Sequence, residues 1–203
     1  MIEIYNVTKK ISDSFTLQIN NITLQNKTNY KVYGINGSGK TLFLKTILEI
    51  ISKDKGHIKK DNATISGFLG IHRMIDFLTP KEYFYIVCKS YGICKKDVIN
   101  RYNYINSFFN RKYLHEKKLI CDYSDGNKQL IGIMASCLPF SSFVLLDEPF
   151  NYLDELTAAQ LLTMINKLNQ DKNISFIYSD NANRLKLDHY KTIFVQDGNV
   201  SML

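Results

Sequence analysis

Gly34-Ile35-Asn36-Gly37-Ser38-Gly39-Lys40-Thr41 stands between an apolar stretch, Tyr30-Lys31-Val32-Tyr33, and a segment in which Leu42, Phe43, Leu44, Ile47, Leu48 and Ile51 recur at helical spacing. The eight residues fit G-x-x-x-x-G-K-[ST], the Walker A pattern, and each part has a physical job. Three glycines let backbone N–H groups turn inward as an anion nest at little steric cost. Lys40 offers a point charge to the β- and γ-phosphates, and the Thr41 hydroxyl is a hard oxygen ligand for Mg²⁺. A strand, a glycine loop and a helix N-terminus in that order direct the helix dipole at the phosphates. A glycine-rich turn with no ligand is the plain alternative. At average residue usage the bare pattern arises by chance in roughly one chain of this length in a hundred, and the flanking strand and helix make it rarer. The stretch predicts a cradle for ATP over Gly34, Ile35, Asn36, Gly37, Ser38, Gly39, Lys40, Thr41 and Leu42.

A second constellation lies downstream. Phe143-Val144-Leu145-Leu146 is a continuous apolar run, the mark of a strand buried on both faces, and it ends in Asp147-Glu148. Two carboxylates then stand at the C-terminal edge of a strand, where ligands of parallel sheets gather. Asp147 suits Mg²⁺, directly or through a water, as in a Walker B strand. Glu148 points differently and can polarise a water toward a γ-phosphate. Alone, the pair reads as a solvated strand end before Pro149; with the glycine loop upstream it reads as part of the same site.

Composition sets modest bounds. The chain has 203 residues and a formal net charge of +7. That length suits one α/β domain, or a core with a lobe inserted in it. Lys and Arg are scattered without long runs, which favours a solvated basic surface over a nucleic-acid partner. Cys88, Cys94, Cys121 and Cys137 form no C-x-x-C pair and no zinc spacing with His57, His72, His115 or His189, so they read as free thiols, partly buried. No apolar run approaches the ~18 residues that span a bilayer. The start, Met1-Ile2-Glu3-Ile4, reads as a strand, and the expectation is a cytosolic protein that reaches a membrane only through a partner.

Along the chain, residues 2–7 and 15–24 alternate apolar and polar, with Phe15, Leu17 and Ile19 on one face, which predicts an antiparallel pair before the loop. Short strands are expected at 57–60 and 64–69. From Thr79-Pro80 to about 109 the pattern is helical, with Pro80 suited to a first helical position. Residues 103–118 read as a helical, outward-facing lobe. Residues 174–178 and 193–195 repeat the buried-strand pattern. The picture is one nucleotide-binding core over residues 1–203, with a helical insert at about 72–140.

Cys121-Asp122-Tyr123-Ser124-Asp125-Gly126-Asn127-Lys128-Gln129 precedes an apolar-faced helix that leads into the Walker B strand. It resembles the signature segment of ATP-binding cassette (ABC) ATPases, usually L-S-G-G-Q. Two of five positions match. Asp147-Glu148-Pro149-Phe150-Asn151-Tyr152-Leu153-Asp154 resembles the family's D-E-P-x-x-x-L-D, and Gln196-Asp197-Gly198-Asn199-Val200 resembles its closing strand pair. The resemblance covers the whole chain. It implies an α/β fold of the P-loop NTPase type, with a mixed central sheet, an N-terminal antiparallel β subdomain and an inserted helical subdomain. It also implies a second nucleotide-binding domain, identical or not, closing head to tail. Ser124, Asp125, Gly126 and Asn127 would then face the partner's ATP, Ser124 and the Gly126 N–H would donate to its γ-phosphate, and Asp154 would lie at the seam. Glu148 would be the catalytic base, with Thr41 and Asp147 at Mg²⁺, and an integral membrane permease would dock on the helical lobe.

The departures from the family are equally specific. Its switch histidine is replaced by Asp180 in Ile177-Tyr178-Ser179-Asp180-Asn181, and a carboxylate accepts but cannot donate. Within ~6 Å of a phosphate charge it would cost on the order of 3 kcal/mol at an effective dielectric of about 20, unless it turns away, caps the following segment or is masked by a cation or proton. The glutamine that usually touches Mg²⁺ is absent from 68–73, where Ile71 or His72 stands nearest, His72 reading as a surface loop residue. Leu42 follows Thr41 where a second hydroxyl is common. The usual adenine-stacking position falls near Ile11, with Phe15 the nearest aromatic and core packing its expected role. The resemblance thus implies a transporter's ATPase subunit with slow or asymmetric hydrolysis. A low-turnover ATP-dependent switch or scaffold, and a soluble ABC ATPase outside transport, stand as alternatives.

Overall fold

The computed structural model describes residues 1–180 and 190–202. Its strands are β1 (Ile2–Lys10), β2 (Thr16–Ile19), β3 (Ile22–Leu24), β4 (Asn29–Tyr33), β5 (Lys55–Lys60), β6 (Ile65–Phe68), β7 (Phe143–Leu146), β8 (Ser175–Asp180), β9 (Tyr190–Gln196) and β10 (Asn199–Met202). The helices are α1 (Lys40–Ile47), α2 (Pro80–Ser90), α3 (Lys95–Asn106), α4 (Asp125–Cys137) and α5 (Glu155–Lys172). The strands form one sheet in the order β3-β1-β2-β10-β9-β4-β8-β7-β6, with β5 on the other side of β1. β9, β4, β8, β7 and β6 are mutually parallel, whereas β1 pairs antiparallel with β2, β3 and β5.

Alternation along the strands divides the interior in two. Tyr30, Val32, Leu145 and Ile177 face α1, whose Phe43, Leu44 and Ile47 are fully buried against them together with the apolar sides of β1–β3. Val144, Leu146, Phe176 and Tyr178 face the other way, into a layer built by α4 and α5 with α2 and α3 outside it. All four β7 residues are buried, as a parallel strand covered on both faces requires.

The helix after the glycine loop is shorter than its periodicity: α1 stops at Ile47, Glu49 adopts φ 55°, and Ile51 lies beyond it. Thr79 and Glu82 form a reciprocal capping box with Pro80 at the first turn of α2, as the local sequence demands. Residues 103–118 do not stay helical and do not all face outward. α3 ends at Asn106 because that side chain bonds both the Arg111 N–H (2.8 Å) and the Arg111 carbonyl (2.7 Å), and Asn110 turns left-handed at φ 53°. The chain folds back and buries Phe109, Tyr113 and Leu114 in the helical layer. The stretch 15–24 is likewise two strands, both paired with β1.

Candidate functional site

The glycine loop joins β4 to α1 and is braced from both sides. A Cβ on Gly34 would come within 2.2 Å of the Val195 carbonyl, and the Gly198 N–H donates to the Ser38 carbonyl at 2.9 Å. Gly39 is left-handed at φ 112°, and the tip of the Phe15 ring lies 3.2 Å from where its Cβ would be, so only glycine fits. Lys40 opens α1 with its ammonium folded onto the Gly34 and Ile35 carbonyls, at 2.8 and 2.9 Å. Burial pulls that ammonium below the usual lysine range, and the charges of Glu148, Asp147 and Asp180 oppose the shift.

Asp147 and Glu148 leave the end of β7 in different directions. One Asp147 oxygen accepts the Thr41 hydroxyl at 2.7 Å and the other accepts Ser179 Oγ at 2.6 Å. Ser179 in turn receives the Glu148 N–H at 2.8 Å, so a single hydroxyl ties β8 to both carboxylate residues. Glu148 has φ 45°, a conformation uncommon outside glycine, and it is over-determined: Gln129 of α4 donates to its carbonyl and Asn151 to its carboxylate. Ser179, Gln129 and Asn151 escaped sequence reasoning. Only Ser179 carried a signal, a hydroxyl at a buried strand's end.

An open cavity of about 500 Å³ collects most of these groups, with Asn36, Gly37, Gly39, Lys40, Thr41, Leu42 and Glu148 on its walls. Ile11 and Phe15 close its apolar end. Ile35 is mostly exposed and Ser38 is buried within the loop. The oxygens of Thr41 and Asp147 converge as hard ligands, while among the described residues no group of three or more His, Cys, Asp or Glu could cage a metal ion. That donor set fits Mg²⁺, which takes one or two protein oxygens and completes its shell from phosphates and water.

Other sequence candidates stand off this cavity. Ser124 is the N-cap of α4, and Ser124 and Asp125 are exposed. Tyr113 Oη donates to Asn127 Oδ1 at 2.7 Å, and Asn127 Nδ2 donates to Ser124 Oγ at 2.9 Å, which leaves the serine proton directed elsewhere. Gly126 packs on the turn before α5, since a Cβ would meet the Tyr152 carbonyl at 2.5 Å. Asp154 is the N-cap of α5, accepting the Thr157 N–H at 2.7 Å, and that bond holds its carboxyl below the usual range. His72 is exposed in a short 3-10 turn, Ile71–Arg73. Asp180 lies 3.1 Å from the Lys31 ammonium, a cation of the kind the sequence reading allowed for but did not name. The capping of residues 181–183 by Asp180 falls outside the described residues.

A glycine loop between a parallel strand and a helix, with a Thr–Asp oxygen pair and a second carboxylate beside it, defines a phosphate-loop nucleotide-binding protein of the α/β class. A family model described as ABC transporter matches residues 17–151. The chain is 28% identical over 191 residues to the bacitracin transport ATP-binding protein BcrA of Bacillus licheniformis, covering 88% of this chain and 61% of that relative. It is 30% identical over 178 residues to the ABC transporter ATP-binding protein YybJ of Bacillus subtilis, covering 76% and 74%. Among solved structures, a dimeric ATP-binding cassette in a post-hydrolysis state with ADP and Pi superposes at a TM-score of 0.85 and 18% identity, covering 99% of this chain and 97% of that one. The chain belongs to the ABC transporter family, and its fold is that of the ABC ATPase cassettes.

Proposed function

We propose that this chain binds and hydrolyses ATP as the nucleotide-binding subunit of a transporter, powering a separate integral membrane permease. The carrying observation is the convergence of Lys40, Thr41 and Glu148 on one open cavity, with Asp147 hydrogen-bonded to Thr41 behind it. In this reading residues 1–203 are one cassette domain with a helical insert at about 72–140. The loop from Gly34 to Leu42 holds the phosphates, and Lys40 exchanges its two carbonyl partners for phosphate oxygens. Thr41 and Asp147 would hold Mg²⁺, which supplies charge neutralisation between the phosphates. Glu148 accepts a proton from the attacking water. Phe15 and Ile11 offer an apolar wall on which the adenine stacks.

Completion of the site requires a second nucleotide-binding domain, identical or related, whose Ser124 hydroxyl and Gly126 N–H reach the γ-phosphate across the seam while Asp154 lies beside it. The relatives named as transport subunits support the permease. The subunit then works at the inner face of the cell membrane through that permease, with no nucleic-acid partner. The Lys31–Asp180 pair, at the place of the family's switch histidine, favours slow turnover, so an ATP-dependent switch is the second reading. The test is nucleotide binding and company. Lys40→Ala should weaken ATP binding by about tenfold or more, or ~1.4 kcal/mol, by calorimetry on folded protein. Mild-detergent extraction should bring down a polytopic membrane protein; a ribosome or a soluble enzyme in its place would overturn the transport reading.

A further inference from the structure

We propose that Tyr113 is a positioning residue for the Ser124 hydroxyl: through the Asn127 side-chain amide it fixes the serine as a hydrogen-bond donor toward the nucleotide of a facing subunit. This rests on the reading of Ser124 as a group that reaches a partner's γ-phosphate. An ionised phosphate oxygen only accepts, so a hydroxyl helps it only with the proton turned outward. Two hydrogen bonds decide that direction. Tyr113 Oη donates to Asn127 Oδ1 at 2.7 Å, and Asn127 Nδ2 donates to Ser124 Oγ at 2.9 Å. The phenol is 2% exposed, and a buried hydroxyl needs an acceptor. Burial holds it above its ordinary titration range, so it keeps its proton. With Oδ1 drawn to the phenol, the NH2 end of the amide faces Ser124 and occupies one lone pair of its oxygen. The serine proton cannot point at a donor, and it is left for an acceptor beyond. Turned end for end, the same amide would take that proton itself, and Ser124 would offer a phosphate only lone pairs.

This differs from ordinary helix capping. Ser124 is the N-cap of α4 and Asn127 the third helical residue, yet the serine side chain makes no bond to the N–H groups of that first turn. An N-cap serine normally spends its oxygen there. Here the Asn127 side chain holds that oxygen instead, and Ser124 stays exposed. Tyr113 reaches the helix on the stretch that folds back after α3. Asn106 clamps both backbone groups of Arg111, Tyr102 Oη donates to the same Arg111 carbonyl at 2.9 Å, and Asn110 supplies the left-handed turn. Beyond it the Tyr113 ring packs edge-on against Tyr123 with centres 5.8 Å apart, and Tyr123 Oη donates to Glu116. The phenol is therefore fixed from both directions along the chain, and it imposes its orientation on the amide. Packing alone would need only the ring: phenylalanine would fill the same space and leave no buried hydroxyl to satisfy.

The experiment is a double-mutant cycle on steady-state ATP turnover of the full chain, with whatever partner mild-detergent extraction recovers. The ATP affinity of the isolated chain and thermal melts are measured alongside. Tyr113→Phe keeps the ring and frees the amide to turn. It should lower turnover by about threefold or more, while the chain's own ATP affinity, which depends on the Lys40 cradle, changes by less than about twofold. In the Ser124→Ala background the same substitution should change turnover by less than about twofold, because no serine proton remains to be aimed. Equal losses in both backgrounds, no loss in the parent, or a loss of ATP affinity in step with turnover would overturn the proposal. If Tyr113→Phe fails to fold, Asn127→Ala decides, since it cuts the link from the other end. It should lower turnover where Ser124 is present and leave the Ser124→Ala variant as it was, and an equal loss in both counts against the relay. The failure of the underlying reading looks different: there Ser124→Ala itself turns over ATP as fast as the parent does.

Discussion

Glu148 shows how much local structure one residue can require. Its left-handed backbone is held by three donors and acceptors drawn from β8, α4 and the turn after β7. Glu148→Gln keeps the side-chain oxygen that accepts from Asn151, so this arrangement persists while the proton acceptor is lost. ATP should therefore bind as before, and hydrolysis should fall by about 10²-fold or more. A steady-state ATPase assay on both forms, alone and with any partner that co-purifies, checks this, and equal turnover would move the chemistry to another group. At this scale the sequence was half legible. The roles proposed for 34–42 and 147–148 could be read from residue type, because phosphate and Mg²⁺ demand particular atoms. The contacts of Ser179 and Lys31 could not, since each runs across the sheet and only strand register creates it.

Elements were legible where local signals and tertiary needs agree. Thr79-Pro80 announces α2 because cap, first-turn proline and Glu82 all act within four residues. The end of α3 was hidden, because Asn106 stops the helix by bonding a residue five positions on, and nothing in 103–118 except the buried Phe109, Tyr113 and Leu114 gives a reason to fold back. The N-terminus of α5 offers a test of the same physics. The Asp154 carboxyl is held below its ordinary value chiefly by the Thr157 N–H, so its contribution to stability is full above the unfolded value of about 3.9 and is lost as pH falls through the lower folded value. Asp154→Ala should lower the melting temperature at pH 7 and close the gap to the parent as pH drops below about 4. A gap that stays constant across that range would mean that the carboxylate's charge takes no part in the cap.

For the whole molecule, burial divides four free thiols into two classes. Cys88 and Cys137 are buried, and desolvation pushes their thiols up to about 11 and about 12, while Cys94 and Cys121 are exposed. Burial and the neighbouring Asp122 raise the Cys121 thiol above its usual value. In native protein near pH 8 a thiol reagent should label Cys94 first and Cys121 more slowly, with Cys88 and Cys137 reacting only in denaturant. Four equal rates by mass spectrometry would contradict the burial of Cys88 and Cys137 in the helical layer. The reading of free, partly buried thiols came directly from the spacing of the cysteines. Which of them lie inside depended on how α2 and α4 pack, and that order is set by the sheet.

The brace on the glycine loop comes from far along the chain. Val195 and Gly198 stand about 160 residues after Gly34 and Ser38, and β9 and β10 complete the sheet beside β4 and β2. During synthesis at ~5–20 residues per second, residues 34–41 therefore wait for roughly ten to thirty seconds before the hairpin that steadies them leaves the ribosome. A nascent chain released short of residue 190 has every side chain proposed to bind phosphate and lacks the wall behind them. Such long-range closure slows folding relative to the local helices. Competence to bind nucleotide is thereby deferred until almost all of these 203 residues have been made.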